Sequence, residues 1–588
     1  MSDYTFFNRN QDFIEKLPSW AAEFARKYGS KTANLYILHG NIRDFLPHQQ
    51  QEGDFTFTRI QEYISECIFG NKDIIVFYDC SSGVTFLTME MAQDYQAAMT
   101  KRYPDADPSD FFSVEPENSF FYLEKYFLQN IPRDRKSNCR MVLIMDYAET
   151  IVPAGDLARS TEEDRYRLVT LNRWSNAPIF TEGDISIILL TENLADLSPR
   201  LVGSPSTVKV GVPFPDETLR NRFLQFMERQ GKLSPERGLS PGHIATLTSG
   251  LNLMNLYRLV SENSGEDRLL SVEYLKRKKK EMIENEAAGL LEFMETDYNL
   301  SHVSGHDFVK KRLKNAARAI AMGRPDVLPM GYLIAGPVGT GKSFMVSAFA
   351  GEIGIPMVKF RNFRSKWQGV TESNLEKVLN ILSSMAPVAV MIDEADAFLG
   401  DRDQEGDSGT SNRVFAQIAT YMGNTEFRGK IIWFLITCRP DLIPIDLKRQ
   451  GRAEEHLALF YPETERDRVA LFDTLVKKLR LSIRQFPITD LFRKHQSEFS
   501  GADLEAVLIR AKQLAAMAKR TFVDRNDMEE ALSDFIPSAY GHEIELQNLA
   551  AVLECTSKEM IPRRYKNMEP ARLVKTIREL KSLLGERG

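Results

Sequence analysis

The chain offers little for covalent or metal cross-linking. Its five cysteines, Cys67, Cys80, Cys139, Cys438 and Cys555, are scattered over 588 residues. No Cys-x-x-Cys pair or zinc-ligand spacing occurs, which excludes a disulfide framework and fits a reducing compartment. No apolar run approaches the roughly 18 residues of a membrane-crossing helix. The first residues, Met1-Ser2-Asp3-Tyr4-Thr5, are polar and carry no signal-peptide apolar stretch. These absences make a cytoplasmic location, with no membrane span, the expectation. Excess basic charge is missing too: the formal net charge is −6, so bulk charge makes no case for a nucleic-acid partner. The eight histidines form no metal spacing, and the absence of His-Glu-x-x-His speaks against proteolysis in cis.

What is present is ordinary globular composition, 43% apolar and 27% charged, in a length suited to about three or four folding units. One segment stands out against it. Residues Gly336-Pro337-Val338-Gly339-Thr340-Gly341-Lys342-Ser343 follow a short apolar run, Gly331–Ala335, and precede the helix-forming run that begins at Phe344. Strand, glycine-rich loop and helix in that order are what phosphate binding needs. The glycines let backbone N–H groups turn toward an anion, and the helix start adds its positive dipole end. Lys342 is expected at the β- and γ-phosphates and Ser343 on Mg²⁺. About fifty residues on, Val388-Ala389-Val390-Met391-Ile392 ends in Asp393-Glu394. An apolar strand ending in adjacent acids suits two tasks in phosphoryl transfer. Asp393 would organise the metal shell, and Glu394 would orient the attacking water.

Strand candidates Tyr332–Ala335, Met357–Phe360, Val388–Ile392 and Ile431–Ile436 alternate with amphipathic segments such as Glu372–Met385. Continuous apolar strands spaced by helices argue a parallel sheet covered on both faces. Beyond about residue 464 the pattern becomes helical, through Arg466–Leu479 and Ala502–Ala518 to Pro570–Leu584. The first 270 residues read as a worn copy of the same layout. Asn34–Asn41 stands where a strand and loop belong but has no Gly-Lys-Ser, and Met141–Met145 ends in Asp146 followed by Tyr147 rather than a second acid. Ser249-Gly250-Leu251-Asn252-Leu253 echoes Ser500-Gly501-Ala502-Asp503-Leu504. The fold class is therefore α/β, with tandem P-loop modules, each a helix-covered parallel sheet with a small helical lid. The expected divisions are 1–270, a linker helix in 271–299, the large ATPase domain 300–462, its lid 463–540 and a helical tail 541–588. Lys276–Lys280, followed by Glu281, Glu284 and Glu286, reads as a solvated linker face before it reads as a nucleic-acid patch.

With these motifs in hand, residues 300–545 resemble the AAA ATPases of the wider AAA+ class. Leu300–Gly305 is similar to the family's opening motif beside the adenine, which places His302, Val303 and Gly305 at the nucleotide. Ser365–Glu372 resembles the first pore loop, with Lys366, Trp367 and Gln368 facing the channel of a ring. Thr437-Cys438 falls at the sensor-1 segment, Arg449–Arg452 at the arginine-finger segment, and Ser500–Leu504, with Gly501 and Ala502, at the lid motif. Gly406–Phe415 is similar to a bacterial and plastid subgroup that also carries a degenerate AAA-like first half. Two positions depart from the family pattern: Cys438 stands where Asn is usual, and Glu455 where a second arginine is usual.

The resemblance implies ATP and Mg²⁺ as cofactors, an ATPase, and a homo-oligomer, a hexamer by family habit. Catalysis would fall to Glu394, Asp393, Lys342 and, across a subunit boundary, Arg452. The leading expectation is a remodeller of protein substrates. A nucleotide-dependent switch or assembly scaffold is the alternative, and a DNA-associated motor ranks third.

Overall fold

A computed structural model describes residues 14, 17–49, 55–70, 72–131, 140–155, 160–236, 238–262, 270–361, 372–399, 410–484, 486–495, 499–536 and 541–585. They form two compact units, 1–283 with 371–384, and 284–370 with 385–588.

In the first unit the strands are β1 Leu35–Gly40, β2 Leu46–Gln49, β3 Phe55–Thr58, β4 Ile74–Asp79, β5 Gly83–Phe86, β6 Met141–Met145, β7 Ile185–Thr191 and β8 Thr207–Val212. All but the β2–β3 hairpin join one sheet, in the order β5-β4-β6-β7-β1-β8. Every pair in it is parallel except the edge pair of β5 with β4. Alternate side chains supply the two faces: Leu35 and Ile37 enter one buried cluster, Tyr36 and Leu38 the other. With helices on both faces, the inner strands β6 and β7 are buried at every position.

The second unit contains β9 Leu291–Phe293, β10 Gly331–Ala335, β11 Met357–Phe360, β12 Val388–Ile392, β13 Ile431–Thr437 and β14 Glu455–Ala458. Their order is β14-β10-β13-β12-β11-β9, again parallel except for one edge pair, β9 with β11. From the opposite edge the five parallel strands repeat the first sheet's order, while the antiparallel edge strand follows β4 in the first unit and precedes β10 in the second. The worn-copy reading of the first half thus has a topological basis that residue identity barely shows.

The copies differ after β1 and β10. β10 runs through the loop into the helix Lys342–Ile353, whereas β1 runs into the hairpin β2–β3. The lid of the second unit is a separate apolar cluster on helices Glu465–Lys478, Gly501–Met517 and Arg525–Asp534. Each starts in a capping box, Thr464 with Asp467, Ser500 with Asp503, and Asp524 with Asp527. These satisfy amide donors that the first turn leaves free. The stretch expected as a linker helix holds the helix Val272–Glu286 and then β9, which extends the second sheet. Nor is the basic run of that helix wholly solvated. Leu275, Lys279 and Ile283 are buried along one face, and Lys279 Nζ donates to Ser249 Oγ at 3.0 Å.

One constraint recurs at β1 and β10, each next to an edge strand. Gly40 has φ +95, and a Cβ there would lie 2.7 Å from the Val212 carbonyl oxygen; at Gly336, with φ +142, the distance to the Leu459 oxygen would be 2.0 Å. Only glycine lets the chain leave the strand so close to its neighbour. Gly40→Val is therefore expected to destabilise the first unit by about 1–3 kcal/mol, the usual cost of forcing a side chain into such backbone. Denaturant unfolding monitored within residues 1–283 checks it; an unchanged midpoint contradicts it.

Candidate active site

The C-terminal ends of β10, β12 and β13 bring the sequence motifs together. In the loop after β10, Gly336, Gly339 and Gly341 all have positive φ. Lys342 is buried and turned back on that loop: its Nζ donates to the carbonyls of Gly336 and Pro337, each at 2.8 Å. Thr340 Oγ1 also donates to the Pro337 carbonyl, at 2.9 Å. Ser343 Oγ lies 3.2 Å from both carboxylate oxygens of Asp393 at the end of β12. A hydroxyl and a carboxylate converging this way are a donor set that suits a hard divalent cation such as Mg²⁺. Lys359 on β11 places its Nζ 3.0 Å from Asp393 Oδ2, so an ammonium already balances that carboxylate. The next residue, Glu394, is exposed in left-handed backbone, φ +50, and its amide donates to Asp393 Oδ1 at 3.1 Å. The kink turns two adjacent acids to different jobs, one inward and one toward solvent.

At the end of β13 the sensor pair divides. Thr437 is buried, donates from Oγ1 to Asp396 at 2.6 Å and accepts the Arg439 amide at 2.8 Å. Cys438 faces the loop, its Sγ 3.2 Å from Lys342 Nζ. Cys438, not Thr437, is thus the side chain at the loop lysine.

Beside the loop lies a cavity of about 520 Å³, lined by His302, Val303, Gly305, Gly339, Thr340, Gly341, Phe344, Gly501 and Ala502 among others. The lid meets the loop directly, since the Gly501 amide donates to the Gly339 carbonyl at 3.0 Å. A Cβ on Gly339 would come 2.6 Å from Ser500 Oγ, so glycine is required for this approach. His306 also lines the cavity but was not singled out from the sequence; it caps the helix Asp307–Ala321 with φ +50. Burial, and then the charge of Lys310, push its pKa down to about 4. Lys478, also unforeseen, pairs with Glu505 at 2.9 Å and stands over the Phe344 ring. Lys478 has no local motif and is brought there by the lid fold, whereas His306 directly follows the Leu300–Gly305 motif. Lys359 did leave a trace, as the one charge in Met357–Phe360.

Arg452 lies elsewhere in the unit. The Glu454 amide bonds Gly331 at the start of β10, whereas Leu459 bonds Ala335 at its end. Arg452 therefore sits near the opposite end of a five-residue strand from the loop, a span of about 16 Å. Its Nη1 donates to the Asp446 carbonyl at 2.7 Å. Glu455 pairs with Arg312 at 3.4 Å, which gives a structural use to the position where a second arginine is usual. Lys366, Trp367 and Gln368 lie outside the described residues, as do Gly406–Gly409.

The corresponding place in the first unit is filled by its own side chains. Asp146 ends β6 and is buried; Arg43 Nη1 and Gln61 Nε2 each donate to its Oδ2 at 2.7 Å. Tyr147 repeats the kink of Glu394, with φ +50 and its amide on Asp146 at 2.7 Å. Its ring lies under the Arg43 guanidinium at 3.9 Å. The buried Asp44 carboxylate accepts the amides of Leu253 and Met254, at 2.9 and 2.7 Å, where the helix Leu253–Ser261 starts. An internal cation and an internal anion thus stand where a bound cation and phosphate would otherwise be held.

Residues 332–461 match the family described as ATPase family associated with various cellular activities (AAA). Residues 9–213 match the AAA+ chaperone N-terminal Rossmann-like domain, and 218–288 the AAA+ chaperone second helical domain. The chain is 26% identical over 366 residues to the uncharacterized AAA domain-containing protein ycf46 of Guillardia theta, covering 60% of this chain and 70% of that one. It is 24% identical over 528 residues to the Cell division cycle protein 48 homolog of Archaeoglobus fulgidus, covering 81% and 69%. An ATP-dependent zinc metalloprotease FtsH from Aster yellows witches'-broom phytoplasma is 31% identical over 245 residues, 40% of this chain and 36% of that protein. The matched stretches stop short of these relatives' full lengths.

Two outcomes are expected. Calorimetric titration with ADP should give one nucleotide per chain, and none for Lys342→Ala; a value near two would contradict the filled site of the first unit. For His306, the folded pKa of about 4 lies below the ordinary histidine value of 6.5. Unfolding therefore takes up a proton between those values, and stability falls as pH drops through that window. His306→Gln should lower proton uptake on unfolding at mildly acidic pH by roughly one; unchanged uptake counts against it.

Proposed function

We propose that this chain, which belongs to the AAA ATPases of the AAA+ class, is a ring-forming remodeller of protein substrates. As an AAA ATPase it hydrolyses ATP with Mg²⁺ as the partner ion. Among the described residues no helix is long and apolar enough to cross a membrane.

The observation that carries the ring is the place of Arg452. Its guanidinium is tied to Asp446, about a strand's length from the Lys342 loop of its own unit. An arginine that serves a phosphate from there serves a neighbour's phosphate. In that arrangement Lys342 leaves the loop carbonyls for the phosphates, and Ser343 and Asp393 hold the metal. Glu394 orients the attacking water from its kinked position. When bound, Mg²⁺ neutralises charge on the phosphate oxygens. Lys359 supplies positive charge to Asp393 before loading. Remodelling rests on Lys366-Trp367-Gln368, in the segment between β11 and the helix Glu372–Met385. The ring of a tryptophan can grip an extended polypeptide without reading its sequence.

A second reading, a nucleotide-dependent switch or scaffold, draws on one observation. The side chain at Lys342 is the thiol of Cys438, a weak donor, which favours slow turnover. The DNA-motor reading loses support in the basic run. Lys279 is bonded to Ser249, and Lys278 pairs with Glu281 at 3.1 Å.

Arg452→Ala is expected to keep ADP affinity while kcat falls by about 10³ or more, the usual worth of such an arginine; full turnover would remove the shared-site account. Trp367→Ala is expected to keep most ATPase activity and lose remodelling of a protein captured by Glu394→Gln in ATP. Undiminished remodelling by Trp367→Ala would leave the switch as the better reading.

A further inference from the structure

The C-terminal stretch 541–585 lies beyond all three family matches, yet it is built into the second unit at the phosphate loop. The helix Gly541–Glu554 lays Ala551 against Ala335 and Ala458, a buried trio of small side chains where β10 and β14 end. Alanine at each position lets the helix come close to the sheet. One turn before Ala551, on the same helix face, Gln547 reaches the loop, and its Oε1 accepts the Val338 amide at 3.0 Å. The Val338 carbonyl accepts from Tyr461 Oη at 2.7 Å. Both backbone polar groups of this loop residue are thus held by side chains from outside the loop.

The anchoring continues along the free edge of β14. His456 donates its amide to Thr556 Oγ1 at 3.3 Å, and that hydroxyl donates to the His456 carbonyl at 2.9 Å. Glu554 pairs with Lys448 and lies 3.4 Å from His456 Nδ1. These contacts cover an edge strand's unpaired groups. The chain then turns back: Met560 enters the core beneath the loop, and Glu559–Pro562 line the same 520 Å³ cavity as His302 and Val303.

We propose that segment 541–562 is part of the nucleotide site and that Gln547 is a positioning residue for the phosphate loop. This rests on the reading of Gly336–Ser343 as the site of a nucleoside di- or triphosphate. A loop with three glycines in positive-φ backbone has many conformations to lose on binding. An acceptor that fixes the Val338 amide bears part of that ordering before the nucleotide arrives, and preorganisation of this kind raises affinity. It also makes the loop's state depend on a helix outside the matched ATPase region.

The test is Gln547→Met in the full chain, which removes the acceptor at similar length. Titration with ADP and with ATP should show Kd raised by about three- to tenfold, the span of one net hydrogen bond. The melting temperature without nucleotide and kcat at saturating ATP should stay at wild-type values. Val338→Pro removes the donor, and in the double variant the two losses should not add. The proposal is overturned if Gln547→Met binds both nucleotides as wild type does, if the two losses add, or if the change appears only as a lower melting temperature. Lys342→Ala separates the layers. If it binds nucleotide normally, the reading of the loop fails; if it does not bind while Gln547→Met is unaffected, only the role of Gln547 fails.

Discussion

A carboxylate at the C-terminal end of a fully buried strand needs positive charge close by, and both halves of this chain supply it. On β12, Asp393 faces a lysine on the neighbouring strand and a serine hydroxyl at the start of a helix. On β6, Asp146 receives an arginine and a glutamine from the segment after β1. Burying an unpaired carboxylate is costly, so neither aspartate can stand alone. What differs is whether the partner can leave. Lys359 is partly exposed and holds one carboxylate oxygen, so an incoming cation and phosphate can take over. Arg43 is clamped between Asp146 and the Tyr147 ring, and Asp44 already occupies the start of the next helical domain. One topology thus yields an exchangeable site and a site closed by its own side chains.

The rest of each unit follows from placing those strand ends. Sheets covered on both faces hold the strand ends rigidly, and the positive-φ glycine at the end of β1 and after β10 turns the chain across its neighbour. In the second unit a backbone hydrogen bond from Gly501 to Gly339 links lid position to the loop. Arg452 is kept at the other end of the strands, the observation on which the proposed sharing of the site between chains rests.

Much of this was legible in the sequence for identifiable reasons. β12 starts and ends where its apolar run does, because a strand buried at every position favours apolar side chains throughout. The lid helix at Gly501 was readable from Ser500 and Asp503, whose capping is local. The duplicated topology was visible only as scattered strand ends, since a sheet order is a set of long-range pairings. The hairpin β2–β3, where a helix follows the loop in the other unit, had no signal strong enough to displace the copied layout. Lys359, His306 and Gln547 were missed because their roles depend on partners far away in sequence; Gln547 and Val338 are 209 residues apart.

The central claim is that one active site is assembled from two chains. Mixing two inactive variants tests it most directly. Glu394→Gln keeps Arg452 but loses the water-orienting acid, and Arg452→Ala keeps the acid but loses the arginine. The account predicts that ATPase activity, absent from each preparation alone, returns when they are co-assembled, since mixed neighbours restore complete sites. A mixture as inactive as its components, with co-assembly verified, would contradict it.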